Sequence, residues 1–170
     1  PIQMPHPSIA VIDKLPSERL CWIQKPLWLS AHIGITGPIP RRTDYEDTGG
    51  PFYLDPQGRR PDPIDDDQAL WIRTPQGLIV CVGCSHAGIV NTLQYVSGLN
   101  EGARIRAVIG GFHLIDAGRR RVENTLAALR QMAVDRLVPC HCTGASAVAS
   151  LQAALGEKTT PGAAGMTFQF

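Results

Sequence analysis

The chain has 170 residues, of which 44% are hydrophobic and 18% charged, a composition typical of a folded domain and not of a disordered chain. Its 16 basic and 15 acidic residues give a formal net charge of +1, which excludes a strongly basic nucleic-acid-binding protein. No apolar run approaches the roughly 20 residues that cross a bilayer, and no export signal is recognisable. The five cysteines cannot all pair, so we expect cytoplasmic thiols, some of them linked to a metal.

Residues 1–68 contain 11 of the 14 prolines and predict an irregular region of strands and loops. Breakers interrupt this region at 37–38, 49–51 and 62–63, and apolar runs between them predict strands at 9–12, 20–23 and 27–35. The stretch 38–67 is too polar and broken for a core element. At more than roughly 15 residues, it has a length at which loops are functional or disordered.

Residues 69–170 predict a regular alternation of strands and helices. The predicted strands span 69–74, 77–82, 106–109 and 136–139, and the predicted helices span 87–99, 122–132 and 144–155. Pro75-Gln76-Gly77 predicts a hairpin between the first two strands. Strand, loop and helix then recur three times, which predicts an α/β fold with a largely parallel sheet and crossover helices. The tail, 166–170, predicts a closing edge strand.

One histidine follows the strand of each of these three units. They are His86, His113 and His141, separated by 27 and 28 residues, about one βα unit each. Ligands of open α/β sheets bind at the carboxyl ends of the strands, so we expect the three imidazoles to converge there. Histidine is a common metal ligand, and the sequence therefore predicts a shared metal site at this edge. His6 and His32 lie in the irregular part and receive no role.

The cysteines allow two further interpretations. Cys81 and Cys84 have the spacing of a zinc knuckle, and Cys140 and Cys142 would complete a structural zinc site. Cys81 lies within an apolar strand, which favours an inert buried residue instead. A catalytic cysteine with a nearby histidine as base is the other interpretation.

Two runs of charged residues are more typical of a solvated surface than of a binding site. Asp65-Asp66-Asp67 is interpreted as a solvated turn, although it could bind a cation. Arg119-Arg120-Arg121 is interpreted as an exposed face, although arginines opening a helix are mildly unfavourable there and could meet a phosphate.

Three strings carry a resemblance to a known family: Gly83-Cys-Ser-His-Ala-Gly-Ile-Val-Asn91, Gly110-Gly-Phe-His-Leu114 and Pro139-Cys-His-Cys-Thr-Gly144. Together they resemble the metallo-β-lactamase superfamily, in the branch related to β-ribofuranosylaminobenzene 5′-phosphate synthase and dihydropterin-linked metal-dependent hydrolases. Thr36-Gly-Pro-Ile-Pro-Arg41, Tyr45-Glu46 and Asp65-Asp-Asp-Gln-Ala-Leu70 also resemble segments of that branch. The resemblance covers about residues 30–145.

The resemblance implies an αββα sandwich with a metal site at one edge of the sheets. His86 matches the ligand from the middle of the chain and His141 the last histidine ligand. His113 stands where the superfamily usually has a bridging Asp, so it either ligates metal or contacts substrate. The implied cofactor is a divalent metal, zinc first, with one or two ions in the complete enzyme and manganese or iron as alternatives.

One departure from the superfamily pattern affects the domain prediction. The His-x-His-x-Asp-His motif that supplies most ligands is absent, and Pro1 is not a translation start. We therefore expect 1–170 to be the C-terminal portion of a single domain, incomplete at its N-terminus. An uncovered sheet face would then pair with an N-terminal half or with a second copy.

Two functions stay open at this point. The resemblance implies a hydrolase that uses metal-activated water on an ester, lactam or phosphate-type small molecule. The alternative is a non-catalytic metal-binding or assembly module derived from such an enzyme. Neither requires nucleic acid or a membrane.

Overall fold

A mixed six-stranded sheet is the centre of the fold in the computed structural model, which describes residues 5–48 and 50–170. The strands are β1 (Leu27–Trp28), β2 (Ile33–Ile35), β3 (Ala69–Thr74), β4 (Gly77–Val82), β5 (Ile105–Gly110) and β6 (Arg136–Pro139), and they lie in chain order. β1 to β4 pair antiparallel, whereas β4, β5 and β6 pair parallel. The α/β class is confirmed, but the sheet is mixed rather than largely parallel: short turns join β1 to β2 and β3 to β4 antiparallel, and β2 pairs antiparallel with β3 across the long connection 36–68.

Helices follow each strand of the parallel half. They are α2 (Ile89–Leu99), α3 (Arg119–Gln131) and α4 (Ala145–Leu155), while α1 (His6–Ile12) precedes the sheet. Short 3₁₀ turns occupy Ser17–Arg19, His141–Thr143 and Gly156–Lys158. The three predicted strand–loop–helix units are therefore confirmed. Within the described residues, no helix is long and apolar enough to span a bilayer.

Three of the predicted strands are wrong at least in part. The run 9–12 belongs to α1, because Pro7 occupies the first turn, where its missing N–H is tolerated. Residues 20–23 form no strand. The run 27–35 is divided by a turn, in which the Ser30 hydroxyl accepts the N–H of His32 and of Ile33.

The predicted edge strand at the tail is also wrong. Phe168 lies 5.8 Å from the guanidinium of Arg136, and Phe170 lies 5.9 Å from that of Arg106. Residues 166–170 thus contact the sheet through aromatic rings and cations, while the backbone bonds to β6 come earlier, from Thr160 to Leu137 and from Gly162 to Pro139. The predicted breaker at 49–51 includes Gly49, which lies outside the described residues.

The main core lies between the sheet and α2–α4. Trp71, Val80, Val108 and Leu137 are almost fully buried there. Neighbouring strand residues point to opposite faces, so the alternate positions form a second surface, here called the outer face. Its half-buried apolar members are Ile33, Ile35, Leu70, Ile72, Cys81 and Ile109. The described residues thus supply one sheet and one helical layer; that 1–170 is a C-terminal portion stays a prediction.

Candidate metal centre

The three loops that follow β4, β5 and β6 are tied to one another by hydrogen bonds. The Ser85 hydroxyl donates to the Gly111 carbonyl at 2.8 Å, and the Gly111 N–H donates to the Gly83 carbonyl at 2.9 Å. The Phe112 N–H donates to the Thr143 hydroxyl at 3.1 Å. The residues expected at the carboxyl ends of the parallel strands therefore lie at one edge of the sheet.

His86 and His113 form a pair at this edge. Their ring centroids are 4.1 Å apart, and the Phe52 ring lies edge-on to His86 at 5.2 Å. Nδ1 of His86 lies 3.2 Å from the Thr48 carbonyl, which fixes a tautomer with the proton on Nδ1. Nε2 of His86 is then the unprotonated ring nitrogen. Metal-binding histidines are commonly oriented in this way by a carbonyl on the other nitrogen.

His141 lies among sulfur atoms. Its Nε2 is 3.1 Å from Sγ of Cys84, and the ligand atoms of Cys84, His141 and Cys142 all lie within 4.8 Å of one another. Burial and the neighbouring Cys84 raise the pKa of the Cys142 thiol to about 11. Joint ligation of one ion by His86, His113 and His141 stays a prediction.

Close packing at Gly111 holds the sulfur side of the edge in place. A Cβ on Gly111 would lie 2.4 Å from Sγ of Cys142 and 2.8 Å from Cε1 of His141. Two non-glycine residues of these loops, Ser85 (φ 57°) and His113 (φ 47°), have left-handed backbone conformations. Such conformations cluster at functional sites, where the surrounding structure enforces them.

The other two cysteines of the alternative structural zinc site do not join this cluster. Cys140 donates from Sγ to the Val138 carbonyl at 3.3 Å. Cys81 lies on the outer face, where burial raises the pKa of its thiol. Among residues 5–48 and 50–170, the one group of at least three His, Cys, Asp or Glu side chains close enough to hold an ion is Cys84, His141 and Cys142.

The segment 38–67 wraps around the start of α2, and Glu46 anchors it there. The Glu46 carboxylate accepts the N–H groups of Val90 and Asn91 at 2.8 Å each and the Thr43 hydroxyl at 3.1 Å. It therefore caps a helix that begins more than 40 residues later in the chain. Burial raises the pKa of Glu46 despite these bonds. Gly88 makes the approach possible, because a Cβ there would lie 2.3 Å from the Glu46 carboxyl carbon.

Two further residues of this segment hold the backbone beside His86. Arg41 donates from Nη1 to the His86 carbonyl at 2.7 Å, and Asp67 accepts the Ala87 N–H at 2.8 Å. Burial raises the pKa of Asp67. The interpretation of Asp65-Asp66-Asp67 as a solvated turn is therefore wrong for Asp67, because it caps a buried amide. Sequence reasoning missed Arg41 and Glu46 because their partners are distant in the chain.

The three arginines at the start of α3 also differ in environment. Arg119 and Arg120 have side chains 90% and 69% exposed, whereas that of Arg121 is 5% exposed. Nη1 of Arg121 donates to the Asp47 carbonyl at 3.2 Å and to the Asp47 carboxylate. The predicted exposed face is wrong for Arg121, which holds the turn immediately before Thr48.

Comparison with known proteins finds curated relatives and solved structures that resemble the chain, while no family model matches it. The 7,8-dihydropterin-6-methyl-4-(β-D-ribofuranosyl)-aminobenzene-5′-phosphate synthase of Methanocaldococcus jannaschii is 44% identical over 86 residues, or 49% of this chain and 28% of that protein. The uncharacterized protein MJ0448 of the same organism is 31% identical over 130 residues, or 76% of this chain and 47% of that protein.

One structural neighbour is Tm1679, whose crystal structure is described as that of a metal-dependent hydrolase of the β-lactamase superfamily. It has a TM-score of 0.75 and 32% sequence identity to this chain. The match covers 87% of this chain and 57% of Tm1679. The chain therefore spans only about half, or less, of the length of the proteins it matches.

Proposed function

Because the chain belongs to the metallo-β-lactamase superfamily, as its sequence strings predicted, we propose that it forms part of a metal-dependent hydrolase. Its substrate would be a small molecule with an ester, lactam or phosphate-type centre. The observation that carries the proposal is the orientation of His86. A backbone carbonyl engages its Nδ1 beside His113, at the carboxyl edge of the parallel strands.

The imidazole donors at this edge fit a divalent metal by their chemistry, although their ligand atoms are not all within 4.8 Å of one another in the structure. His86, His141 and His113 would hold the ion; imidazole suits zinc and iron, and manganese stays an alternative. When bound, such an ion acts as a Lewis acid and lowers the pKa of a coordinated water to about 7. The chain's own residues supply the orientation: the Thr48 carbonyl sets the His86 tautomer, and the Phe52 ring covers one side of the histidine pair. We propose zinc as the resident ion.

The metal content of the purified, reduced protein tests the ligand assignment. We expect His86→Ala and His141→Ala each to lower metal stoichiometry, whereas His32→Ala, outside the site, leaves it unchanged. If neither substitution at the site changes the stoichiometry, the assignment is wrong. Hydrolysis of chromogenic ester, lactam and phosphodiester substrates, measured with the polypeptide that completes the sandwich present, tests the activity. Metal binding without hydrolysis by that assembly would favour the non-catalytic binding module.

We further propose that additional polypeptide covers the outer face, either an N-terminal half of the sandwich or a second copy of the chain. Half-buried apolar side chains occupy adjacent strands of this face, and contiguous apolar patches of this kind mark interaction surfaces. Size-exclusion chromatography with light scattering tests the proposal. A well-folded, stable monomer of the isolated chain would contradict it.

We propose that the protein is cytoplasmic. All five cysteines are free thiols in the structure, including the half-buried Cys84 and Cys142 that lie within a few ångströms of each other. Thiols persist in reducing compartments, whereas oxidising compartments favour disulfides.

A further inference from the structure

The sulfur atoms beside His141 have no part in the histidine site described above. Cys84 follows β4, and His141 and Cys142 lie in the 3₁₀ turn that follows β6, so two separate loops supply the cluster. Cys84 and Cys142 are half-buried, and His141 is exposed to solvent. The cluster is therefore anchored in the protein on its sulfur side and open on its imidazole side.

The spacing of these donor atoms is close to that of a tetrahedral metal site. With Zn–S near 2.3 Å and Zn–N near 2.0–2.1 Å, ligand atoms of such a site are roughly 3.5–3.8 Å apart. Sγ of Cys84 and Nε2 of His141 are 3.1 Å apart, and no pair in the cluster exceeds 4.8 Å. Shifts of about 1 Å or less would bring all three onto one ion.

The surroundings hold these donors in place without a metal. Gly111 leaves just enough room for the Cys142 thiol and the His141 ring, since a Cβ would overlap both. The Cys142 carbonyl accepts the N–H groups of Leu114 and Ile115 at 3.1 and 3.2 Å, which fixes the turn that carries His141. A preformed donor set loses less conformational freedom when an ion binds.

We propose that Cys84, His141 and Cys142 form a binding site for one thiophilic divalent ion of the zinc class. Two thiolates balance the charge of such an ion, His141 supplies the third ligand through Nε2, and the solvent side leaves a fourth position. Soft sulfur ligands select zinc, cadmium or cobalt over magnesium or manganese. The site shares His141 with the histidine assignment, so the two compete for that imidazole, but it requires neither His86 nor His113.

Cobalt spectroscopy of the full chain under reducing, oxygen-free conditions tests the proposal. We expect one equivalent of Co²⁺ to produce the near-ultraviolet thiolate-to-cobalt charge-transfer band. Cys84→Ser and Cys142→Ser should each weaken the band to about half or less, because one of two thiolates is lost, and weaken Co²⁺ binding at least tenfold, while Cys140→Ser and His86→Ala keep the full band. Absence of the band in the wild type, an undiminished band in either serine variant at the site, or its loss in His86→Ala would overturn the assignment.

Alkylation of the wild type gives a second measurement that does not depend on variant folding. Zn²⁺ should slow the reaction of Cys84 and Cys142 with iodoacetamide at least tenfold, as mapped by mass spectrometry, and leave the exposed Cys21 unaffected. Mn²⁺ should protect none of them. If Zn²⁺ leaves the alkylation rate of each of the three cysteines unchanged, the site is refuted. If the band and the protection are found but the His86→Ala metal content and hydrolysis assays fail, the sulfur site stands and the hydrolase proposal falls.

Discussion

Replacing Glu46 by alanine removes the cap that connects the 38–67 segment to α2. Glu46 is 7% exposed, and its carboxylate accepts the N–H groups of Val90 and Asn91 at 2.8 Å. Glu46→Ala leaves both N–H groups at the helix start without that acceptor. Because the segment also supplies the Thr48 carbonyl that orients His86, the substitution acts on stability and on the site together.

The size of the effect follows from these bonds. A buried donor left without a partner costs about 1–3 kcal/mol. Loss of a helix N-cap costs about 0.5–2 kcal/mol, and the two costs are not additive because they describe partly the same lost hydrogen bonds. Entry of water recovers part of the loss, so we expect the free energy of unfolding to fall by about 2–4 kcal/mol. For a chain of this length, that corresponds to a Tm lower by about 5–15 °C.

Urea denaturation followed by circular dichroism at pH 7 measures this change. Glu123→Ala is the matched control: its side chain is 58% exposed in a surface pair with Arg119, so we expect its stability to stay close to that of the wild type. The urea midpoint of Glu46→Ala should fall while the slope m stays unchanged. If Glu46→Ala and Glu123→Ala lose equal stability, Glu46 does not cap α2.

Two further predictions concern glycine packing and pH. Gly111→Ala should weaken Co²⁺ or Zn²⁺ binding about tenfold, because its Cβ would displace Cys142 and His141. The control Gly98→Ala lies in α2, where the Cβ meets nothing within 4 Å, and should raise the free energy of unfolding by about 0.5–1 kcal/mol. Equal metal affinity in both variants would contradict the packing argument. Because burial raises the pKa of Glu46 above 4.5, the folded state binds that proton more tightly. This contribution to stability is complete below pH 4.5 and is lost as the pH rises through the pKa of the folded state. In urea titrations, the stability of the wild type relative to Glu46→Gln should therefore fall over that pH range. A rise would show that folding lowers the pKa of Glu46 instead.

The second half of the fold was predictable because its signals are local. The strands 77–82 and 136–139 are apolar runs bounded by turns, and each is followed by a helix of apolar period. The first half was predicted poorly because its helices and strands gain little stability from burying apolar side chains. Helix α1 buries no side chain, so its apolar residues reveal nothing about its conformation.

The site was predictable only where it follows from chain order. His86 and His113 follow parallel strands, and the right-handed βα units place such positions at one edge. The residues that hold this edge were not predictable, because each acts on a distant part of the chain. Glu46 caps a helix 44 residues away, Arg121 bonds to Asp47 across 74 residues, and Asp67 accepts the amide of Ala87. A polar loop residue gives no local indication of such a partner.

The edge therefore contains two donor environments that depend on different parts of the chain. His86 depends on the 38–67 segment, which supplies the Thr48 carbonyl at its Nδ1 and the Arg41 guanidinium at its own carbonyl. His141 depends on the loops after β4 and β6, where Cys84 contacts its Nε2. A polar segment and a packed sheet edge respond differently to substitution. Substitutions in the 38–67 segment should thus disturb the orientation of His86 first and leave the cluster of Cys84, His141 and Cys142 intact. Variants of the segment and variants of the cluster can therefore separate hydrolysis from metal binding at the sulfur atoms.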